Sequence, residues 1–132
     1  MAKAPTPGAQ RKQAEANRQF RIVVDDVEAV IRPAAYGPRD DVIVRAATRK
    51  PEPHGWGPDN ELSLQGLIAQ LADGAKIGTD TLCTLWWFGR YKAGEHVLLG
   101  ECIDAFPPLS EVADRIVVEL VEPDPEDGSP EA

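Results

Sequence analysis

The eleven residues from Thr81 to Tyr91 constrain this chain more than any others. They include Trp86, Trp87, Phe88 and Tyr91, four of its eight aromatic residues. Wound at about 100° per residue, they form a helix that is apolar on two opposite sides. Leu82, Leu85, Trp86, Gly89 and Ala93 fall on one side. Cys83, Thr84, Trp87, Phe88 and Tyr91 fall on the other, with Arg90 and Lys92 near the seams. A helix of a small domain normally buries one apolar stripe and keeps its other face polar. The second face must therefore be covered, either by the rest of this chain or by another chain. Gly78, Thr79 and Asp80 supply a start signal, with an N-cap side chain and an acid at the positive end of the helix dipole. Gly94 supplies the stop. Gly89 costs up to about 1 kcal/mol relative to Ala in a helix interior, so its use is the close approach of a neighbouring element.

A chain of 132 residues, 42% of them apolar, is expected to form one domain with a real core. Twelve prolines and eleven glycines are many for that length, so parts of the chain are not expected to pack. The net charge of −8 is uneven: residues 1–19 carry +3, residues 122–132 carry −5, and the middle carries −6. An acidic middle argues against nucleic-acid binding, which needs a basic footprint. Solubility alone is reason enough for such acidity, without nucleic-acid mimicry. Cys83 and Cys102 form no C-x-x-C and read as buried reduced thiols. The N-terminus has no apolar h-region, and no stretch approaches 18 apolar residues. A cytosolic protein with no membrane partner is expected.

Residues 1–19 are rich in Ala, Pro, Gln and Arg without an apolar stripe, and are expected to be a disordered basic arm. Phe20, Ile22 and Val24 stand at alternate positions, with polar Arg21 between the first two. Val27, Ala29 and Ile31 do the same after Asp25-Asp26, which reads as a β-hairpin turning at the two aspartates. A lone hairpin is marginal and must pack on helices. Asp40–Thr48 reads as a short helix capped by its acidic pair, with a strand as the alternative suggested by Val42, Ile43 and Val44. Residues 49–59, with Pro51, Pro53, Gly55, Gly57 and Pro58, read as a loop. Trp56 within it is expected to anchor that loop to the core.

Ser63 caps the clearest amphipathic helix, in which Leu64, Leu67, Ile68 and Leu71 follow helical spacing. Leu62 and Leu67 stand at hydrophobic-staple positions and Gly74 stops it. With a link of about five residues, this helix is expected to lie antiparallel to the aromatic one and to cover its Leu82 side. Glu101–Ala105 reads as a helical turn, and Pro107-Pro108 breaks the chain. Ser110 is expected to cap a last helix carrying Val112, Ala113, Ile116, Val117 and Leu120, with a strand over residues 115–120 as the alternative. Residues 122–132 are expected to be a disordered acidic tail. The predicted fold is α+β: one domain over residues 20–121, in which an N-terminal β-hairpin packs on a bundle of three to four helices.

No catalytic constellation is legible. His54 and His96 are far apart without metal-ligand spacing. Ser63 and Ser110 are accounted for as caps, and neither a P-loop nor a G-x-G-x-x-G is present. Asp25-Asp26 and Asp40-Asp41 are accounted for by turn and cap roles. No catalytic, cofactor or metal residue is assigned, and an enzyme is not expected. The unusual residues are apolar and aromatic, the types that dominate protein–protein contacts.

The order of features resembles a known family. A hairpin is followed by Gly37-Pro38-Arg39-Asp40-Asp41 and Val44-Arg45-Ala46-Ala47-Thr48, then the amphipathic helix Leu64–Leu71. Next comes Asp80-Thr81-Leu82-Cys83-Thr84-Leu85-Trp86-Trp87-Phe88-Gly89-Arg90, closing on Ala93-Gly94-Glu95. Over residues 20–121 this is similar to the tail assembly chaperones of long-tailed phages of actinobacterial hosts. Gly89 stands where that family usually has Ala, and Tyr91 interrupts its basic pair, leaving Arg90 and Lys92. The resemblance implies a non-enzymatic protein of the host cytoplasm that uses no cofactor. It would coat the tape measure protein and keep it soluble. It would also recruit the major tail protein of the tail tube, form homo-oligomers, and accompany a longer form made by ribosomal frameshifting. The residues expected to make partner or self-association contacts under this reading are Trp87, Phe88 and Tyr91, with Trp86 and Leu82 in the core; Arg90 and Lys92 either bridge to acidic partners or form solvated seams. The alternatives are a structural virion component, such as a head–tail connector or tail terminator, and a host regulatory binding module with no phage role.

Overall fold

The computed structural model describes residues 18–74 and 77–121 of the chain. The expected arm and tail lie outside those residues, apart from the last two positions of the arm. Strands β1 (Gln19–Val24) and β2 (Val27–Ile31) form the hairpin. Its two-residue turn puts Asp25 at φ 49° and Asp26 at φ 70°. Those left-handed angles belong to a type I′ turn, whose twist matches that of paired strands. Phe20, Ile22, Val24, Ala29 and Ile31 all point to one buried face, as their alternation requires.

Among the described residues five α-helices follow the hairpin. Helix α1 (Pro38–Thr48) takes the helical alternative for the ambiguous segment. Pro38 occupies its first position, and the Asp40 carboxylate accepts the Gly37 N–H at 2.8 Å. Helix α2 (Leu64–Asp73) is capped by the Ser63 hydroxyl, which accepts the Gly66 N–H, and ends on Gly74 in the left-handed region. Helix α3 (Thr79–Lys92) is the aromatic helix, α4 (Leu99–Ala105) the expected helical turn, and α5 (Val112–Arg115) a single turn. At the start of α3 the N-cap is Gly78, so no side-chain cap forms, contrary to expectation.

The last helix does not form as read from the sequence. After α5 the chain turns into strand β3 (Ile116–Val121), giving a three-stranded antiparallel sheet in the order β2-β1-β3. Two forces favour the strand. Ile116, Val117 and Val118 are β-branched and lose side-chain freedom in a helix. Pairing with β1 also turns an isolated hairpin into a sheet with enough partners to be stable. Val118 stands opposite Ile22 and Glu119 opposite Arg21, which bonds Glu119 at 2.7 Å. The turn is tied to this strand as well, because the Arg115 guanidinium holds the Asp25 carboxylate.

Helix α3 is the centre of the domain. Nine consecutive residues, Thr81 to Gly89, are buried. The cover of its Leu82 side differs from the expectation: the sheet, rather than α2, lies against it. The Trp86 indole N–H donates to the Val27 carbonyl at 2.9 Å, and Gly89 sits against Ala29 and Val30 of β2. Helix α2 meets α3 near its start, where the Thr81 hydroxyl bonds the Gln70 side chain at 2.8 Å. Among the described residues no helix is long and apolar enough to cross a membrane.

Candidate interaction surface

The opposite face of α3 is covered by its own chain. Trp87 is 5% exposed, and its indole N–H donates to the Val97 carbonyl at 2.9 Å. Phe88 is fully buried and meets the Tyr36 ring edge-on, with centroids 5.0 Å apart. Contrary to their expected contact role, both residues therefore belong to the core. The physical reason lies in loops whose burial the helical wheel does not register. The segment after α3 folds back to bring Val97 over Trp87, and the loop after α1 brings in Trp56. The Trp56 indole N–H donates to the Thr84 hydroxyl at 2.8 Å, so the loop is anchored to this face as expected of that residue. Leu82 and Trp86 are in the core as expected.

The two cations at the end of α3 are engaged within the chain rather than held out to an acidic partner. Arg90 bonds Glu95 at 2.9 Å and lies over the Trp86 ring at 4.6 Å from its centroid. A guanidinium over an aromatic face is held by the ring quadrupole as well as by the carboxylate. Lys92 bonds the Asp40 carboxylate at 2.9 Å. Burial alone would raise the Asp40 carboxyl, but the Lys92 ammonium and the Gly37 N–H outweigh it and hold it below the usual carboxylate range. Both pairs clamp α3 to neighbouring segments, and both positions lay on the seams where the helical wheel put them.

Tyr91 alone of the five expected contact residues presents an aromatic surface outward. It is 41% exposed and stacks on Trp87, with centroids 5.7 Å apart and an interplanar angle of 28°. It lines a groove of about 500 Å³ together with Val97, Leu98, Pro53, His54 and Glu101. Leu98, at 67% exposed, stands on its rim. The groove is mostly apolar with a few polar groups at its edge, an arrangement that receives apolar side chains of a partner. Its sequence signal was faint, because Val97 and Leu98 sit in a short irregular stretch and Pro53 and His54 are 44 residues upstream.

The two cysteines lie in the core beside the groove residues and do not line the groove. Cys83 and Cys102 are free and buried. Burial pushes the Cys102 thiol up to about 11, and Cys83 higher still, the opposite of an activated thiolate. Among the described residues no group of three or more His, Cys, Asp or Glu side chains is placed to hold a metal ion. Comparison with protein-family models, curated proteins and solved structures finds no match.

Proposed function

We propose that this chain is a tail assembly chaperone of a long-tailed phage of an actinobacterial host, a non-catalytic carrier in the host cytoplasm. It would hold the tape measure protein soluble and help recruit tail-tube subunits. The observation that carries this reading is the apolar groove at the end of α3, where Tyr91 and Leu98 stand exposed beside a buried aromatic core. A long apolar helical client is bound through side chains spaced at i, i+3, i+4 and i+7, and a short open groove takes one such group at a time. Many weak sites of that kind along one client give avidity while still allowing displacement. The net charge of −8 keeps loaded carriers dispersed. The family's characteristic aromatic run then acts through the fold: it builds the core against which the groove is set.

The connector or tail-terminator reading has less support. Closed rings are built by head-to-tail contacts between two different complementary surfaces. The edge of β2 is poorly suited to one of them, since α3 lies over the Val30 carbonyl and the Tyr36 hydroxyl takes the Arg32 N–H.

Co-expression with the tape measure protein of the same phage tests the proposal. The wild-type chain is expected to keep the tape measure protein soluble and to co-elute with it. Leu98→Lys is expected to abolish capture without altering the melting temperature. A tape measure protein that stays insoluble while this chain elutes alone contradicts the reading.

A further inference from the structure

Strand β3 is an edge of the sheet, and among the described residues no strand pairs with its outer side. The Asp25 N–H donates to the Arg115 carbonyl at 3.2 Å, which sets the phase of the ladder. Bonded and non-bonded pairs alternate along antiparallel strands. Val117, Glu119 and Val121 therefore turn their backbone groups toward β1, and Ile116, Val118 and Leu120 turn theirs outward. The Ile116 N–H is already spent on the Val112 carbonyl. Two N–H groups and three carbonyls remain along the open edge.

The side chains do nothing to protect that edge. Natural edge strands are blunted by lysine, proline, bulges or inward-pointing charges. Five of the six residues of β3 are Ile, Val or Leu, and its one charge, Glu119, is engaged by Arg21 of the neighbouring strand. Val118 and Leu120 lie on the same face of the sheet as Ile22 and Phe20, yet they are 38% and 47% exposed because the helical layer lies over β1 and β2. Val117, on the opposite face, is 50% exposed.

We propose that β3 pairs antiparallel with β3 of a second copy of this chain, about a two-fold axis through Val118, joining two three-stranded sheets into one of six strands. Composition argues against residues 1–17 and 122–132 as the cover, since strands are built from β-branched and aromatic residues. Residues 1–17 and 122–132 contain no Val, Ile, Leu, Phe, Tyr or Trp, and residues 122–132 carry −5, adjoining the acidic Glu119 end of the strand. The strand itself is self-complementary. Two-fold pairing keeps each face of the sheet continuous, so only registers that match residues of the same face are allowed. The register centred on Val118 sets Ile116 against Leu120 of the second copy and forms about four inter-chain backbone bonds. It also sets Glu119 opposite Val117 of the second copy. The register centred on Glu119 forms as many bonds but places the two Glu119 carboxylates directly opposite each other, which is destabilising. Charge therefore selects the Val118 register. This interface shares no residue with the Tyr91–Leu98 groove and does not rest on the chaperone reading.

Sedimentation equilibrium on the full chain tests the interface. The wild type is expected to sediment at twice its 14.3 kDa at micromolar concentration. Val118→Lys is expected to weaken association by about a hundredfold or more, because it places two ammonium groups together on the axis. Its near-ultraviolet circular dichroism is expected to match the wild type. Val118→Cys provides a measurement that does not depend on a disruptive change: under mild oxidation it is expected to give a covalent dimer in high yield, and Val117→Cys little. A wild type that stays at 14.3 kDa up to about 100 µM overturns the proposal. So does a dimer that survives Val118→Lys, a dimer lost on deletion of residues 1–17 rather than on Val118→Lys, or equal crosslinking at positions 117 and 118.

Discussion

A Cβ placed on Gly89 would lie 2.9 Å from the Cβ of Ala29 and 3.0 Å from the Val30 carbonyl oxygen. Helix α3 and strand β2 approach this closely because neither contact point carries a side chain longer than a methyl group. Gly89→Ala is expected to lower stability by about 1–3 kcal/mol through overpacking, less the gain of up to about 1 kcal/mol in helix propensity. The obstruction is backbone and a rigid methyl group, so it cannot turn aside. Urea denaturation measures it, and an unchanged or raised midpoint would show that the sheet yields freely.

The hydrogen bond between Trp56 and Thr84 joins the loop after α1 to the centre of the domain. Thr84 is fully buried and its hydroxyl accepts the indole N–H. Thr84→Val keeps the shape and removes the acceptor, leaving an N–H with no partner. The expected loss is about 1–3 kcal/mol. In a double-mutant cycle with Trp56→Phe, the two changes are expected to couple by about 0.5–3 kcal/mol, and additivity would mean that the bond contributes nothing.

Asp41 sits where two segments meet. It bonds the Arg45 guanidinium at 2.7 Å and accepts the Leu64 N–H at 2.8 Å. The Arg45 guanidinium and the Leu64 N–H hold its carboxyl below the usual range against the opposing effect of burial. A carboxyl with a depressed folded pKa contributes stability above the unfolded value of about 3.9 and loses it as pH falls through the folded value. Asp41→Asn is therefore expected to lower the urea midpoint at pH 7, with the difference shrinking below about pH 4. A difference that stays constant from pH 7 to pH 2.5 would assign the effect to geometry rather than charge.

Trp87 and Tyr91 stack on each other but have different roles, and substitution separates them. Trp87→Ala removes a buried indole and is expected to cost about 3–5 kcal/mol. Tyr91→Ala is expected to cost about 1 kcal/mol, the scale of an aromatic pair, while weakening client capture in co-expression. Equal losses of stability would mean that both residues are core.

Much of this fold was legible because local rules and tertiary packing agree. Asp25-Asp26 between alternating strands, Ser63 before a staple, and Gly74 after Leu71 each specify their own ends. Residues 112–121 misled because Val112, Ala113, Ile116, Val117 and Leu120 satisfy a helical stripe as well as a strand. The open edge of β1 decides between them, and only the assembled hairpin creates that edge. The two-sided helix was read correctly as needing two covers, but its covers were misassigned. The sheet does what α2 was expected to do. A loop and the stretch after Gly94 do what another chain was expected to do. Helical periodicity registers which faces are apolar; which segment reaches them depends on loop paths that carry no periodic signal.

The central claim is that α3 is interior to a single chain. The most direct measurement is hydrogen exchange at the Trp87 indole N–H, which is bonded to the Val97 carbonyl, followed on dilution of the wild type and in the Val118→Lys variant. The indole is expected to exchange equally slowly in both, at every concentration, because its cover comes from its own chain. Exchange that rises to the solvent rate as chains separate, with the fold intact, would contradict the account and return Trp87 to an interface.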